Sequence, residues 1–171
     1  MRDFAILQTL NAKLLASKSA TQTLQNWCDD HHIASPAKIR AVKNENIIKP
    51  ASESVRQALE VSPEEPIKYR SVQLFYSDYL LSEADNWYIP SRLTGDMNHL
   101  LNSSDTPFGL AVESLNFHRR TDEVQLLWHP LGRDEPIPEH VLQHRAVLKT
   151  EQNIPFSIVI ETYTRHIFAF K

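Results

Sequence analysis

The stretch YRSVQLFYSDYLLSEADNWYIP, residues 69–90, decides the fold. It is rich in aromatic and β-branched residues, and the polar pair Ser77-Asp78 stands between two apolar runs, the arrangement of a β-hairpin. Pro90 has no backbone N–H to give a neighbouring strand and ends the second run. Toward the C-terminus, further strands are expected around residues 111–115, 124–128 and 145–148. A last one, residues 157–170, alternates through Ile158, Ile160, Thr162 and Thr164. Between these, residues 92–101 read as a helix capped by Thr94, with Met97, Leu100 and Leu101 turned inward.

Toward the N-terminus, Ile6, Leu7, Leu10, Leu14 and Leu15 recur at helical spacing up to about Ser17. Ser19 or Thr21 can cap a second helix, which carries Leu24, Trp27 and Cys28 and ends in the polar run Asp29 to His32. After Pro36, Ile39 and Ala41 alternate with Lys38, Arg40 and Lys43, a period of two that predicts a half-buried strand. A turn at residues 44–46, a short helix over residues 52–59 and a surface loop at residues 62–66 follow. Strands joined by turns, with helices grouped rather than alternating, predict an α+β fold. The expected form is a mainly antiparallel sheet with helices on one face, in one domain spanning residues 1–171.

Composition removes several functions. The chain of 171 residues is long enough to bury a core without a metal or disulfide staple, and Cys28 is its only cysteine. A lone thiol fits a reducing compartment, so the cytoplasm is the expected location. The N-terminal stretch is interrupted by Asp3, Gln8, Asn11 and Lys13, and no later run approaches the ~20 apolar residues of a membrane span. Net charge is −3 and the basic residues are scattered except for Arg119-Arg120, which gives no footprint for nucleic acid by this domain alone. Gly95, Gly109 and Gly132 are isolated, whereas a dinucleotide or phosphate loop needs clustered glycines. No cofactor is expected. His140 and His144 have the spacing of a helical metal pair, but their segment HVLQHRAVL reads as the start of a strand, so no metal is expected either.

Two segments place polar groups within apolar β structure: Ala84-Asp85-Asn86-Trp87-Tyr88-Ile89-Pro90, and Ile158 to Tyr163 around Glu161. Alternation puts Glu161 on the face of Val159, Tyr163 and Arg165, which is either solvent or a pocket wall. An exposed glutamate near Arg165 is the plainer alternative. A third segment, SSDTPFG at residues 103–109, ends in Gly109, which can turn backbone N–H groups toward an anion.

In order and spacing these segments resemble bacterial chorismate lyase and the related ligand-binding domain of GntR-type transcription regulators. The resemblance runs from SATQTLQNWC, residues 19–28, and the strand KIRAV through the hairpin, the TPFG turn and HRAVL to the terminal strand with Glu161. It implies a closed pocket for a small aromatic or cyclic carboxylate. The lyase removes pyruvate from chorismate without a cofactor and leaves 4-hydroxybenzoate. The resemblance further implies that the turn at Phe108 and Gly109 holds the ligand's carboxylate and that Glu161, the candidate catalytic residue, contacts the opposite end. The family's carboxylate-binding arginine falls on Asn86, a neutral amide, and Arg92 or Arg145 is the expected substitute. A lyase and a non-catalytic sensor module are the two functional expectations, with a pocketless interaction protein as the third. On this reading Glu161→Gln would weaken ligand binding and spare the fold.

Overall fold

The computed structural model describes residues 2–130 and 135–170, with Gly132 outside them. The chain runs α1 (Arg2–Ala16), α2 (Ala20–Asp30), β1 (Arg40–Lys43), α3 (Glu53–Leu59), β2 (Lys68–Tyr76), β3 (Tyr79–Tyr88), α4 (Gly95–Ser103), α5 (Phe108–Ala111), β4 (His118–Leu126), β5 (His140–Lys149) and β6 (Pro155–Thr164). Helix starts follow local chemistry: the hydroxyls of Ser19, Ser52 and Thr94 each accept from an N–H of the first turn, at 3.2 Å. Such caps are worth about 1 kcal/mol apiece.

The strands form one antiparallel sheet in the order β1-β2-β3-β6-β5-β4. Its centre is the pair β3–β6, where β6 returns beside the second strand of the hairpin β2–β3 with Asn86 opposite Val159 and Ala84 opposite Glu161. Alternation sends Leu74, Tyr88, Val159, Tyr163 and Leu148 to one face, and Trp87, Val147 and Ile158 to the other.

Two apolar clusters share the first face. In one, Leu7, Leu10 and Leu14 of α1 and Leu24 and Trp27 of α2 pack on Leu74, Leu142 and Tyr163. Each fully buried leucine there contributes roughly 1.5–3 kcal/mol. In the other, Met97 and Leu101 of α4, with Val112 and Phe117, pack on Tyr88, Leu148, Phe156 and Val159. The fold class is the expected α+β, with one helix on the other face: Val55 and Leu59 of α3 pack there on Trp87, Val147 and Ile158.

Three expected elements differ. Residues 111–115 are not a strand: Pro107 opens the short helix α5, and a 3-10 turn, Glu113–Leu115, follows it. Proline's fixed φ suits a helix start, and the turn buries Val112 without any pairing. The strand expected at residues 124–128 begins earlier, at His118, because β4 is an edge strand with mostly exposed side chains and so lacks an apolar alternation. The last strand ends at Thr164, whose hydroxyl accepts from the His166 N–H and caps the 3-10 turn Arg165–Phe168. Leu15 and Leu100, expected inside, are exposed.

Gly109 sits in α5 without a positive φ, and a Cβ built there would lie 3.7 Å from Cζ of Phe117, an ordinary contact. Gly109→Ala should therefore leave stability unchanged or raise it by up to about 1 kcal/mol, read as a shift in the urea midpoint.

Candidate functional site

A cavity of about 100 Å³ lies where the two apolar clusters of the first face meet. Its floor is the sheet: Val72 and Leu74 of β2, Ser82, Ala84 and Asn86 of β3, and Val159 and Glu161 of β6. The α1–α2 connection, Lys18 to Thr21, covers one side, and Pro107 to Gly109 with Phe117 covers the other. Outside these two covers lies a groove of about 360 Å³ lined by Lys18, Thr21, Pro107, Gly109 and Leu110, which forms the mouth.

Glu161 is buried on this floor, on the face that alternation assigns it, and its neighbours explain how a carboxylate survives there. Nη1 of Arg119 donates to Oε1 at 2.5 Å, and the Tyr163 hydroxyl donates to Oε2 at 2.5 Å. Burial alone would raise the carboxyl. The Arg119 charge and the two hydrogen bonds outweigh it and hold Glu161 below the ordinary carboxylate range. On Arg119, burial works downward, but Glu161 beside it keeps the guanidinium above its usual value. Tyr163 is pushed up by burial and then by the Glu161 charge, so its phenol stays protonated and donates.

His144 on β5 faces Glu161 in register and edges onto the Tyr163 ring. Burial lowers its imidazole to about 4 against the pull of Glu161, so at neutral pH it is an uncharged ring bonded to Asn11 through Nε2 at 2.7 Å.

The expected site residues separate into two groups. Asn86, Phe108, Gly109 and Glu161 all line the cavity. Asn86 is buried, and its Oδ1 accepts from the Ser157 hydroxyl at 2.6 Å. Arg92 and Arg145 do not line the cavity. Arg92 donates to the carbonyls of Leu59, Glu60 and Pro155, which ties the end of α3 to the start of β6. Arg145 shares the parity of Val147, so it points to the α3 face, where it reaches the Ser54 carbonyl at 3.5 Å and Asp122 at 4.0 Å. Nor does Arg165 meet Glu161. His140 bonds Glu83 and His144 bonds Asn11, so each has its own partner.

The cations whose side chains are buried on the site's face are two others. Arg119 reaches in from the edge strand. Arg70 on β2, directly opposite Asn86, is 4% exposed and donates through Nη2 to the carbonyls of Ser104 and Thr106. A basic residue in the run HRRTDEVQL at an inward parity was the only sequence signal for Arg119, and it lacks the apolar neighbours that would have marked that parity.

A buried charge that loses its partner typically costs 3–5 kcal/mol. Glu161→Gln should therefore destabilise the fold by about that much, contrary to the expectation that it is spared, and adding Arg119→Met should recover most of the loss in denaturant titrations. A second outcome concerns pH. The folded His144 value of about 4 lies below the unfolded value of about 6.5, so the unfolded chain binds more protons between them. Stability should fall as pH drops from about 6.5 to 4, with His31, also held low by burial, adding in the same sense. The contribution of Glu161 disappears only as pH falls further, through its lowered value. His144→Gln should flatten most of the slope between pH 6.5 and 4.

No protein-family model matches the chain. Uncharacterized protein y4mC of Sinorhizobium fredii is 46% identical over 181 residues, covering 97% of this chain and 76% of its own length. Among solved structures, PhnF from Mycobacterium smegmatis superposes with a TM-score of 0.57 at 12% identity, over 88% of this chain. The chain spans less than two thirds of that protein, 65% of its length. The ligand-binding domain of a GntR-family transcriptional regulator from Bordetella bronchiseptica superposes with a TM-score of 0.50 at 18% identity, over 75% of this chain and 90% of that one. At such identities the structural likeness is one of fold. The chain belongs to the family of the y4mC protein and is built on the chorismate lyase-like fold shared by the ligand-binding domains of GntR-type regulators.

Proposed function

We propose that the chain, with residues 1–171 acting as one unit, is a small-molecule-binding module. Its cavity above β3 and β6 takes a small aromatic or cyclic carboxylate of the hydroxybenzoate or chorismate kind. The observation that carries this reading is a half-open cavity with mainly apolar walls and a few polar side chains buried in them, those of Asn86, Arg119 and Glu161. That is the usual composition of a small-molecule site. Its volume of about 100 Å³ is below the roughly 150 Å³ of a cavity that holds benzene, so a single ring would fill it with its substituents toward the mouth, and a nucleotide does not fit. The fold shared with the ligand-binding domain of the Bordetella regulator supports the same reading.

Binding is favoured over elimination. A general acid must carry a proton near neutral pH, and Glu161 is held ionised by Arg119 and Tyr163. Asn86 offers donors without the charge that orients a carboxylate. A cofactor-independent carbon–oxygen lyase of the chorismate pyruvate-lyase type is the second reading, and under it another cation replaces the family's arginine. The buried Cys28 thiol, pushed up to about 12 by burial and Asp29, is unreactive and suits a cytoplasmic setting.

The test is a thermal-shift panel of chorismate and hydroxybenzoates beside a pyruvate-coupled assay on wild type and Asn86→Arg. A ligand at 100 times its Kd adds about 2.7 kcal/mol, a rise on the order of 5–10 °C in melting temperature. The expected result is stabilisation by hydroxybenzoate with no pyruvate release from chorismate, and a measurable lyase rate at most in Asn86→Arg. Rapid turnover by the wild type would establish the lyase instead.

A further inference from the structure

Three donors around the cavity have no acceptor among the described residues: Nε and Nη2 of Arg119, and Nδ2 of Asn86. No buried side-chain acceptor lining the cavity is orphaned in this way, so the imbalance has one sign. A buried donor without an acceptor is costly, so three of them on residues that line one cavity are a demand for something that accepts.

The two Arg119 atoms are geometrically informative. Nε and Nη2 share one edge of the planar guanidinium, where their N–H bonds run parallel and match the two oxygens of a carboxylate. Nη1, on the other side, is already given to Glu161. Tyr163 adds to the field around the guanidinium without meeting hydrogen-bond geometry at Nε or Nη2. Both oxygens of Glu161 are occupied, one by Arg119 and one by Tyr163, so the carboxylate fixes the arginine's orientation and offers no unclaimed oxygen.

We infer that the Nε–Nη2 edge of Arg119 is the cavity's carboxylate fork. It takes a planar oxyanion of the ligand side-on, with Nδ2 of Asn86 as a further donor, and Glu161 is a positioning residue that acts through Arg119. This rests on the small-ring carboxylate reading above and adds which residue reads the charge. It also changes the role of the edge strand: β4, which supplies no apolar core residue among His118–Leu126 in the buried clusters, contributes the specificity determinant.

The experiment is calorimetric titration of benzoate, 4-hydroxybenzoate and cyclohexanecarboxylate against their uncharged amides, on wild type, Arg119→Lys and Asn86→Ala. Arg119→Lys retains a cation for Glu161 and loses the fork. The wild type should bind at least one acid about tenfold or more tightly than its amide, the difference between a charge-assisted and a neutral pair of hydrogen bonds. Arg119→Lys should lose most of that preference, and Asn86→Ala a smaller part. In ¹⁵N-labelled wild type, the Arg119 Nε–H resonance, assigned by its absence from Arg119→Lys, should move on adding the acid and stay put with the amide. Should Arg119→Lys not fold, the wild-type resonance still decides. Equal binding of acid and amide, or an acid that binds without moving the Nε–H, would overturn the fork while leaving the cavity as a ring site. Silence of every acid would remove the small-ring carboxylate reading and the fork with it.

Discussion

The ion pair between Arg119 and Glu161 is the constraint around which the functional face is arranged. Glu161 sits on the central strand β6, buried on the face that the helices cover, where an unpaired carboxylate is not tolerated. Its partner comes from β4, two strands away, and the register shows how: Arg119 lies opposite Leu148 on β5, and Glu161 lies opposite His144 on the same strand. Ala146 is the residue between them on that face. Its single methyl is the smallest side chain on that face of β5. A charge at the sheet's middle is thus neutralised from its edge, and the residue between the two on β5 is small.

The cavity follows from how the helices are distributed. The pair α1–α2 covers one half of the first face, and α4 with α5 covers the other, each half with its own apolar cluster. Two clusters that close separately leave a seam, and the polar residues of the sheet, Ser82, Asn86 and Glu161, lie along it. Apolar packing fixes the walls of the seam to the rigid sheet, and the connecting segments at Lys18 to Thr21 and Pro107 to Gly109 form its covers. The arrangement puts the precise groups on strands and the adaptable ones on loops, which is the division a binding site requires.

Much of this was legible in the sequence, for physical reasons that differ between elements. The hairpin could be read because both strands are half-buried and alternate, and the helix starts because Ser19, Ser52 and Thr94 are capping residues next to apolar periodicity. The face of Glu161 followed from a period of two. The edge strand β4 could not be read, since exposure on an edge removes the apolar signal that betrays a strand. Arg119 was hidden with it, as an inward charge in a polar run looks like solvated surface. Arg92 and Arg145 were misplaced because proximity along the chain says nothing of face: one is consumed by backbone carbonyls, and the other has the wrong parity.

Fold and chemistry separate cleanly in this chain. At 12–18% identity the chain shares its fold with these solved structures, because a layer architecture needs only hydrophobic pattern and turn chemistry. What the cavity recognises depends instead on a handful of polar groups, and these can change under a constant fold. Asn86 is a neutral amide, and the guanidiniums on this face come from its neighbours, Arg70 opposite it on β2 and Arg119 from β4. Pairing Arg119 with an ionised Glu161 has a further consequence. It keeps a strong donor array in a nearly neutral pocket, and it withholds the mobile proton that elimination chemistry would draw on. The same interaction that allows charge to be buried in this sheet therefore also sets the charge state that the cavity presents.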